Sequence, residues 1–146
     1  MKALIQRVSS AQITIKHQLY SQINQGLLIF LGICQSDNRT HLDWLVKKII
    51  GLRIFSDSHG KMNLSIQDIT GQILVVSQFT LCADCTKGNR PSFTAAAHPN
   101  TAEPLYNLFI AKLKEQGIVV KTGQFGAMMQ IKLVNDGPVT IDLEKS

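Results

Sequence analysis

The chain has 146 residues, the length of one domain, and its 45% hydrophobic content is enough to bury a core without disulfide staples. It opens on an alternating strand pattern instead of a signal peptide, and no apolar run approaches the roughly 20 residues that span a bilayer. These features exclude a membrane-spanning helix and predict a soluble, cytoplasmic protein. The net charge of +5 favours an anionic partner such as nucleic acid.

The cysteines predict no metal site. Their odd number, three, favours reduced thiols over a disulfide framework in an intracellular chain. Cys82 and Cys85 form a C-x-x-C motif followed by His98, but no second histidine comes after it, and a structural zinc site needs four ligands. A redox pair of the thioredoxin type opens a helix, whereas this one runs into Gly88. We therefore predict neither a metal nor a cofactor.

The first part of the chain predicts a meander of strands followed by one helix. The strand-like segments are residues 3–8, 12–15 and 19–23 and the apolar run 27–33 after Gly26. Thr40 is placed to cap the helix. One face of that helix is apolar, with Leu42, Leu45, Val46, Ile49 and Ile50 at helical spacing.

The strongest strand signal lies between residues 71 and 81. Residues 73–76 are all apolar, which predicts a strand covered on both faces. The strand then passes without a break into Ser77, Gln78, Phe79 and Thr80. Unpaired buried polar groups cost roughly 1 to 3 kcal/mol each, so these side chains either face a pocket or bond local backbone as the strand leaves the core. The local sequence favours the second interpretation.

The rest of the chain predicts a basic loop, a second helix and more strands. The loop after Leu81 carries Lys87 and Arg90. Thr101 is the expected cap of the second helix, with Pro104 in its first turn and Gly117 at its end. Strands are predicted at 118–121, 128–134 and 139–143, separated by a turn at 122–127 and an interruption at 135–138.

These elements predict an α+β fold in a single domain over residues 1–146. We expect a curved or barrel-like, mostly antiparallel sheet with two main helices packed on it. Two short motifs have ordinary structural explanations. Gly123 and Gly126 form a G-x-x-G, as in KH RNA-binding modules, but here it joins two strands and predicts a tight turn. Gly137-Pro138 predicts a turn or a sheet edge.

Several function classes fit these residues. One is a non-enzymatic RNA-binding module, supported by the charge, the G-x-x-G and the basic loop, although it lacks a pair of aromatic residues for base stacking. Another is a hydrolase of small esters that acts through Thr80 or Ser77. A third, a purely structural oligomeric domain, leaves the polar cluster after residue 76 unexplained.

Motifs along the whole chain are similar to those of the D-aminoacyl-tRNA deacylase family. They are, in order, MKALIQRV, LRIFSDSHGKMNLS, VVSQFTL, KGNRPSF, AEPLY, TGQFGAMMQ and NDGPVT. Cys82 and Cys85 depart from the usual pattern of the family but lie outside its two signature stretches. The resemblance implies the fold of that family and an enzyme that hydrolyses the ester between a D-amino acid and the 3′ end of tRNA.

The resemblance also implies the parts of the active site. It assigns Ser77, Gln78, Phe79 and Thr80 to the catalytic pocket that holds the terminal adenosine and the ester. It implies a homodimer with active sites at the interface, and Gly137 and Pro138, joined by a cis bond, reaching into the partner's pocket. It further implies that the ribose 2′-OH assists the reaction and that glycyl-tRNA, such as glycine mischarged on tRNA(Ala), is also hydrolysed.

Physical chemistry gives these roles a reason. An aminoacyl ester is already activated, so positioning and oxyanion stabilisation suffice without a catalytic triad. We expect the backbone N–H groups of Phe79 and Thr80 to supply the oxyanion contact, with Thr80 either a nucleophile or a positioning group. A D and an L ester differ only in where the side chain points, so selectivity has to come from exclusion, with the Gly137 and Pro138 carbonyls binding the α-ammonium.

Further side chains are predicted to line the pocket, brace the bulge or contact the tRNA. Phe125, Met128 and Met129 are expected in the pocket wall, although such residues are more often plain core. Arg7 is a candidate to brace the Gly137-Pro138 loop. Lys87 and Arg90 are candidates for contacts with tRNA phosphates, and their ordinary role would be that of a solvated loop.

Overall fold

The computed structural model describes residues 1–146 and contains eight strands and two α-helices. In chain order these are β1 (Lys2–Ile15), β2 (Gln18–Ile23), β3 (Gly26–Gly32), α1 (Arg39–Ile50), β4 (Phe55–Ser56), β5 (Met62–Leu64), β6 (Gln72–Ser77), α2 (Pro99–Glu115), β7 (Val119–Thr122) and β8 (Gln130–Glu144). A 3-10 turn, Phe79–Cys82, follows β6. Neither helix is long and apolar enough to cross a membrane.

Six of the strands form one sheet that curls into a nearly closed barrel. The long strand β1 pairs antiparallel with β3 and β2 along one edge and with β8 along the other. β6 lies parallel between β3 and β7. The Ser21 hydroxyl on β2 donates a 2.8 Å hydrogen bond to the Thr122 carbonyl on β7, which draws the two ends of the sheet together. The predicted fold class, a barrel-like, mostly antiparallel sheet with two helices, is confirmed.

The sheet separates two hydrophobic cores, and β6 contributes to both. Ile73 and Val75 point into the larger core, which also contains the apolar faces of α1 and α2. Leu74 and Val76 point into the smaller core inside the barrel. All four side chains are buried, as expected for a strand with neighbours on both sides and cover on both faces.

The two predicted helix caps were wrong by a few residues. Asn38, not Thr40, caps α1, because its side chain accepts hydrogen bonds from the backbone N–H groups two and three residues on. His98, not Thr101, caps α2, and Pro99 occupies the first helical position. The earlier start puts Pro104 inside the helix instead of in its first turn.

Two strand predictions also need correction. Segments 3–8 and 12–15 are one strand, because β8 pairs with β1 through both of them. The predicted interruption at 135–138 does not end β8, although its register shifts there. Gln6 pairs with Thr140 and Val8 with Asn135, so residues 136–139 bulge out of the ladder opposite Arg7.

Candidate active site

A cavity of about 590 Å³ lies at the carboxyl end of β6, where the apolar strand passes into polar residues. The volume is typical of small-molecule sites. Eleven of its fifteen lining residues are hydrophobic. The lining comes from the chain at the ends of β3 and β6, from the segment before α2 with the first turn of that helix, and from the turn between β7 and β8 with the start of β8. The sequence had left open whether the polar residues after β6 meet a pocket or only local backbone. The structure places a pocket beside them.

Three of the four predicted catalytic residues line this cavity. Ser77 and Gln78 are half-buried in its wall, and Phe79 is exposed at its rim. Thr80 does not line the cavity. Its hydroxyl oxygen instead accepts a hydrogen bond from the Gln78 side-chain amide. Thr80 therefore contacts the site through a neighbour that belongs to the wall.

The opposite wall is apolar and is supported from the core. Phe125 and Met129 both line the cavity, as does Met128. The Phe125 ring packs on Tyr106 of α2 with 5.8 Å between ring centroids, and the Tyr106 hydroxyl donates a 2.9 Å hydrogen bond to the Val75 carbonyl. Burial raises the pKa of Tyr106 well above its ordinary value, and nearby Tyr20 adds to the shift. Tyr106 thus acts as a neutral, fixed support for the wall.

No residue that lines the cavity has an acidic, basic, histidine or cysteine side chain. Its side-chain polar groups are the Ser77 hydroxyl and the Gln78 amide. The backbone supplies further donors nearby, because the N–H groups of Phe79 and Thr80 begin the 3-10 turn and donate to no acceptor within the protein. The site therefore offers donors for a developing negative charge but no side chain that transfers protons near neutral pH.

Sequence reasoning missed the part of the wall formed by the segment before α2 and the first turn of that helix. Ala96, Ala97 and Ala102 line the cavity, where their small side chains leave room for a ligand. Phe93 packs edge-on against Phe79, with ring centroids 5.2 Å apart. The run of alanines at 95–97, directly before the helix, was the signal available in the sequence.

The prediction of three free thiols was wrong for two of them. Cys34 and Cys82 form a disulfide, with their Cα atoms 6.1 Å apart, and only the exposed Cys85 is free. Cys34 follows β3 and Cys82 ends the turn that follows β6. Because β3 and β6 are parallel neighbours, their carboxyl ends bring the two residues together. The bond ties the turn that carries Phe79 and Thr80 to the adjacent strand end.

The Gly137-Pro138 segment is a rigid bulge on the surface, and the bond between the two residues is cis. The Arg7 guanidinium donates to the Asp136 carbonyl at 2.7 Å and to the Ile54 carbonyl at 2.6 Å. The Asn135 side chain donates to the Arg7 and Val139 carbonyls and accepts from the Val139 N–H.

Gly137 itself is required by the shape of this bulge. A Cβ built on Gly137 would lie 2.0 Å from the Val139 nitrogen, so no other residue fits the backbone as it stands. Both Gly137 and Pro138 are exposed, and neither lines the cavity of its own chain. Within one chain the bulge and the cavity are therefore apart, and the predicted contact of Gly137 and Pro138 with a partner's pocket stays a prediction.

The basic loop is closed at its base. Asp84 and Ser92 exchange two backbone hydrogen bonds of 2.8 and 2.9 Å, which leaves Lys87 and Arg90 exposed at the far end. The Asp84 carboxylate accepts hydrogen bonds from the backbone N–H and hydroxyl of Thr86, and these bonds lower the pKa of Asp84. Lys87 and Arg90 do not line the cavity.

Comparison with known proteins gives the class of the chain, which is a hydrolase of carboxylic esters. The chain belongs to the D-Tyr-tRNA(Tyr) deacylase family, whose model matches residues 4–144. A D-aminoacyl-tRNA deacylase of Exiguobacterium sp. is 51% identical over 146 residues, which cover 100% of this chain and 99% of the relative. One of Clostridioides difficile is 51% identical over 146 residues, covering 100% and 98%. The resemblance predicted from the motifs is confirmed.

Two solved structures share the fold. A structure described as the c-Myc DNA Unwinding Element Binding Protein matches with a TM-score of 0.95 and 42% identity, covering 100% of this chain and 99% of that one. A probable eukaryotic D-amino acid tRNA deacylase matches with a TM-score of 0.82 over 97% of this chain and 98% of that one. Its 15% identity makes it a likeness of fold alone.

Proposed function

We propose that the cavity at the end of β6 binds the terminal adenosine of a D-aminoacyl-tRNA and that the protein hydrolyses its ester bond, in the cytoplasm and without a metal or cofactor. The observation that carries this proposal is an apolar cavity with two polar side chains, free backbone donors and no acid–base residue. Such a site suits an activated ester, which needs positioning more than proton transfer. Glycyl-tRNA is a second substrate, because glycine has no side chain that the site could exclude.

In this proposal the two walls divide the substrate between them. The adenine base lies against Phe125 and Met129, which offer an aromatic ring and a polarisable side chain. The ester lies toward Ser77 and Gln78. A base against the apolar wall and a carbonyl against the polar one would fix the reacting carbon within reach of the free N–H groups of Phe79 and Thr80.

The reaction is an addition followed by an elimination. The oxygen of a water adds to the ester carbonyl carbon, and the carbonyl oxygen becomes an oxyanion that the Phe79 and Thr80 N–H groups stabilise. The bond to the ribose oxygen then breaks, and that oxygen takes up the proton lost by the water, relayed by the neighbouring 2′-OH. The products are the free D-amino acid and tRNA. A substrate whose terminal ribose lacks the 2′-OH tests the relay and is expected to be hydrolysed far more slowly.

Thr80 is a positioning residue in this scheme. Its hydroxyl lies outside the cavity and already accepts a hydrogen bond from Gln78. Thr80→Ala is expected to retain most of kcat, and Thr80→Ser, which keeps the hydroxyl, to restore any loss. A nucleophile would behave differently, because its removal would abolish turnover and the wild-type protein would form a covalent intermediate visible by mass spectrometry.

Chirality is selected by a second copy of the chain. Gly137 is six residues from Ile131 of the cavity wall along the same extended strand, about 20 Å away at 3.3 Å per residue. A partner copy is therefore the proposed source of the Gly137 and Pro138 carbonyls that bind the α-ammonium and fill the space of an L side chain. The outer edge of β8, which pairs only with β1, is available for such an approach.

Mixing two defective proteins tests this arrangement. Gln78→Ala damages the cavity and Asp136→Pro damages the bulge, so neither homodimer should be active. A mixed dimer of the two would contain one site with an intact cavity and an intact bulge. Recovered activity supports the cross-subunit site. If the mixture stays inactive although mixed dimers form, each chain uses its own bulge.

The primary experiment compares matched D-tyrosyl-, L-tyrosyl- and glycyl-tRNA with chelator-treated protein. Hydrolysis of the D and glycyl esters with the L ester spared is the expected result. Loss of activity on chelation would contradict the metal-free scheme. Hydrolysis of the L ester at a similar rate would contradict the chiral filter.

A second candidate function is nucleic-acid binding without turnover. One specific observation favours it, namely the 42% identical structure that carries the name of a DNA Unwinding Element Binding Protein. The net charge of +5 is compatible with it. Binding of tRNA or DNA with no hydrolysis of any ester in the primary experiment would support this function over the first.

A further inference from the structure

A second cavity adjoins the first and shares part of its wall. It has a volume of about 480 Å³ and lies between the tip of the β1–β2 hairpin and the turn that joins β7 to β8. Ala127 and Met128 line both cavities. The two cavities are therefore adjacent, and a ligand that extends past these two residues would contact both.

The side chains of the second cavity suit a nucleotide. Tyr20 exposes 49% of its surface and Met128 exposes 93%, so a flat aromatic face and a flexible apolar side chain are both open to solvent. The amides of Gln18 and Gln124 offer hydrogen bonds. Bases stack on such aromatic side chains with little regard for their identity.

The charge of this cavity suits a phosphate. Lys16 is exposed beside Tyr20, and none of the lining residues is acidic. The hairpin turn fixes the backbone position of this lysine, because Ile15 pairs with Gln18 and the two turn residues take positive φ values of 50° and 64°. A lysine at this turn, in the same cavity as an exposed tyrosine, offers a contact for the phosphate of an RNA strand that leaves the first cavity.

We propose that this second cavity binds the nucleotide that precedes the terminal adenosine of the aminoacyl-tRNA, with its base on Tyr20 and the phosphate that joins it to the adenosine near Lys16. The inference rests on the proposed function, in which the terminal adenosine fills the first cavity. In this inference, contacts with the tip of the β1–β2 hairpin make the protein hydrolyse an ester at an RNA 3′ end faster than the ester of a free nucleoside.

The test uses substrates of increasing length: D-tyrosyl-adenosine, the D-tyrosyl ester of the dinucleotide cytidylyl-adenosine, and D-tyrosyl-tRNA. In the wild-type protein the added nucleotide is expected to raise kcat/KM roughly tenfold, as stacking of one base would. Tyr20→Ala should remove this gain and leave hydrolysis of the nucleoside ester intact. Tyr20→Phe keeps the ring and should keep the gain.

Lys16→Gln separates the phosphate contact from stacking. The plot of log(kcat/KM) against log[salt] for the dinucleotide has a negative slope, and Lys16→Gln is expected to make it less negative by about 0.7, the value for one phosphate contact in a single strand. Lys47→Gln, on the distant helix α1, is the matched control and should leave that slope unchanged.

Several results would overturn the inference. One is a wild-type protein that gains nothing from the added nucleotide, and another is a Tyr20→Ala protein that loses equal activity on the nucleoside and dinucleotide esters. A change of oligomeric state in Tyr20→Ala, seen by light scattering, would show that a second copy covers this surface. If no ester is hydrolysed at all, the proposed function fails instead, and calorimetry then decides whether cytidylyl-adenosine binds more tightly than adenosine in a Tyr20-dependent way.

Discussion

The cavity and the Gly137-Pro138 bulge are built in opposite ways. The cavity is assembled from segments far apart in the sequence, with Gln78 on one side and Phe125 on the other, and a disulfide beside it. The bulge is a local structure of four residues, fixed by Arg7 and Asn135. One is a concave feature lined by residues of this chain, and the other is a convex feature that lines no part of that cavity. This difference is what the proposed cross-subunit site requires of the bulge.

Breaking the disulfide tests whether the cavity depends on a covalent link that the bulge lacks. Cys34→Ser is expected to lower the free energy of unfolding by about 4 kcal/mol, the chain-entropy value for a loop of 48 residues. Urea unfolding under oxidising conditions measures this free energy. Cys85→Ser is the control and should leave the free energy of unfolding unchanged. Equal stability of the wild-type protein with and without a reductant would contradict the prediction.

Gly137→Ala tests the bulge without touching the cavity. The added Cβ would meet the Val139 nitrogen, so the bulge has to change shape. We expect kcat/KM for D-tyrosyl-tRNA to fall roughly 100-fold, as it does when a positioning contact moves by about 1 Å. Gly51→Ala, where the nearest atom would be 3.4 Å away, is the matched control. Unchanged rates for both D and L esters would mean that the bulge takes no part in the reaction.

Arg7→Lys tests the bulge in a different way, because it weakens the hydrogen bonds that hold the bulge and leaves the bulge's own residues unchanged. A lysine keeps the charge but cannot reach both the Asp136 and Ile54 carbonyls with a fixed fork. Loss of one charged hydrogen bond predicts a fall in kcat/KM of roughly tenfold. Arg53→Lys serves as the control, because Arg53 makes similar contacts with Asn63 away from the site. A larger loss from Arg53→Lys would show that the effect is general.

The smallest effect is expected from the histidines, since none lines the cavity. Replacing each of the four in turn, His17, His41, His59 and His98, with alanine should leave kcat/KM for D-tyrosyl-tRNA essentially unchanged. A general base contributes at least roughly 100-fold. A loss of that size in any one variant, with the fold intact by circular dichroism, would place a proton-transfer group in the site.

The sequence predicted most of the scaffold because periodicity and turn chemistry are local. The apolar run 73–76 indicated a buried strand, and the spacing of apolar residues indicated α1, whose Leu42, Leu45, Val46 and Ile49 are all buried. The predicted helix starts were wrong by two or three residues. Thr40 and Thr101 are suitable caps in isolation. Asn38 and His98 precede them in the chain, however, and their side chains accept hydrogen bonds from the first backbone N–H groups of each helix.

The candidate site was predicted less completely. Ser77, Gln78, Phe125 and Met129 were found from the motifs, and all four line one cavity. Ala96, Ala97 and Ala102 were missed, because small residues carry no chemical signal of their own. The pairing of Cys34 with Cys82 was also missed, because an odd number of cysteines gives no indication of which two strand ends meet.

By itself, the sequence determined the fold class, the family and the polar residues that end β6, because each depends on the order of residue types along the chain. Only the tertiary structure decided that Thr80 lies outside the cavity, that Gly137 is required by its own backbone, and that the bulge and the cavity of one chain are apart. These facts depend on the register of β1 with β8 and on the closure of the barrel. Both are set by packing among residues distant in sequence, which no local pattern specifies.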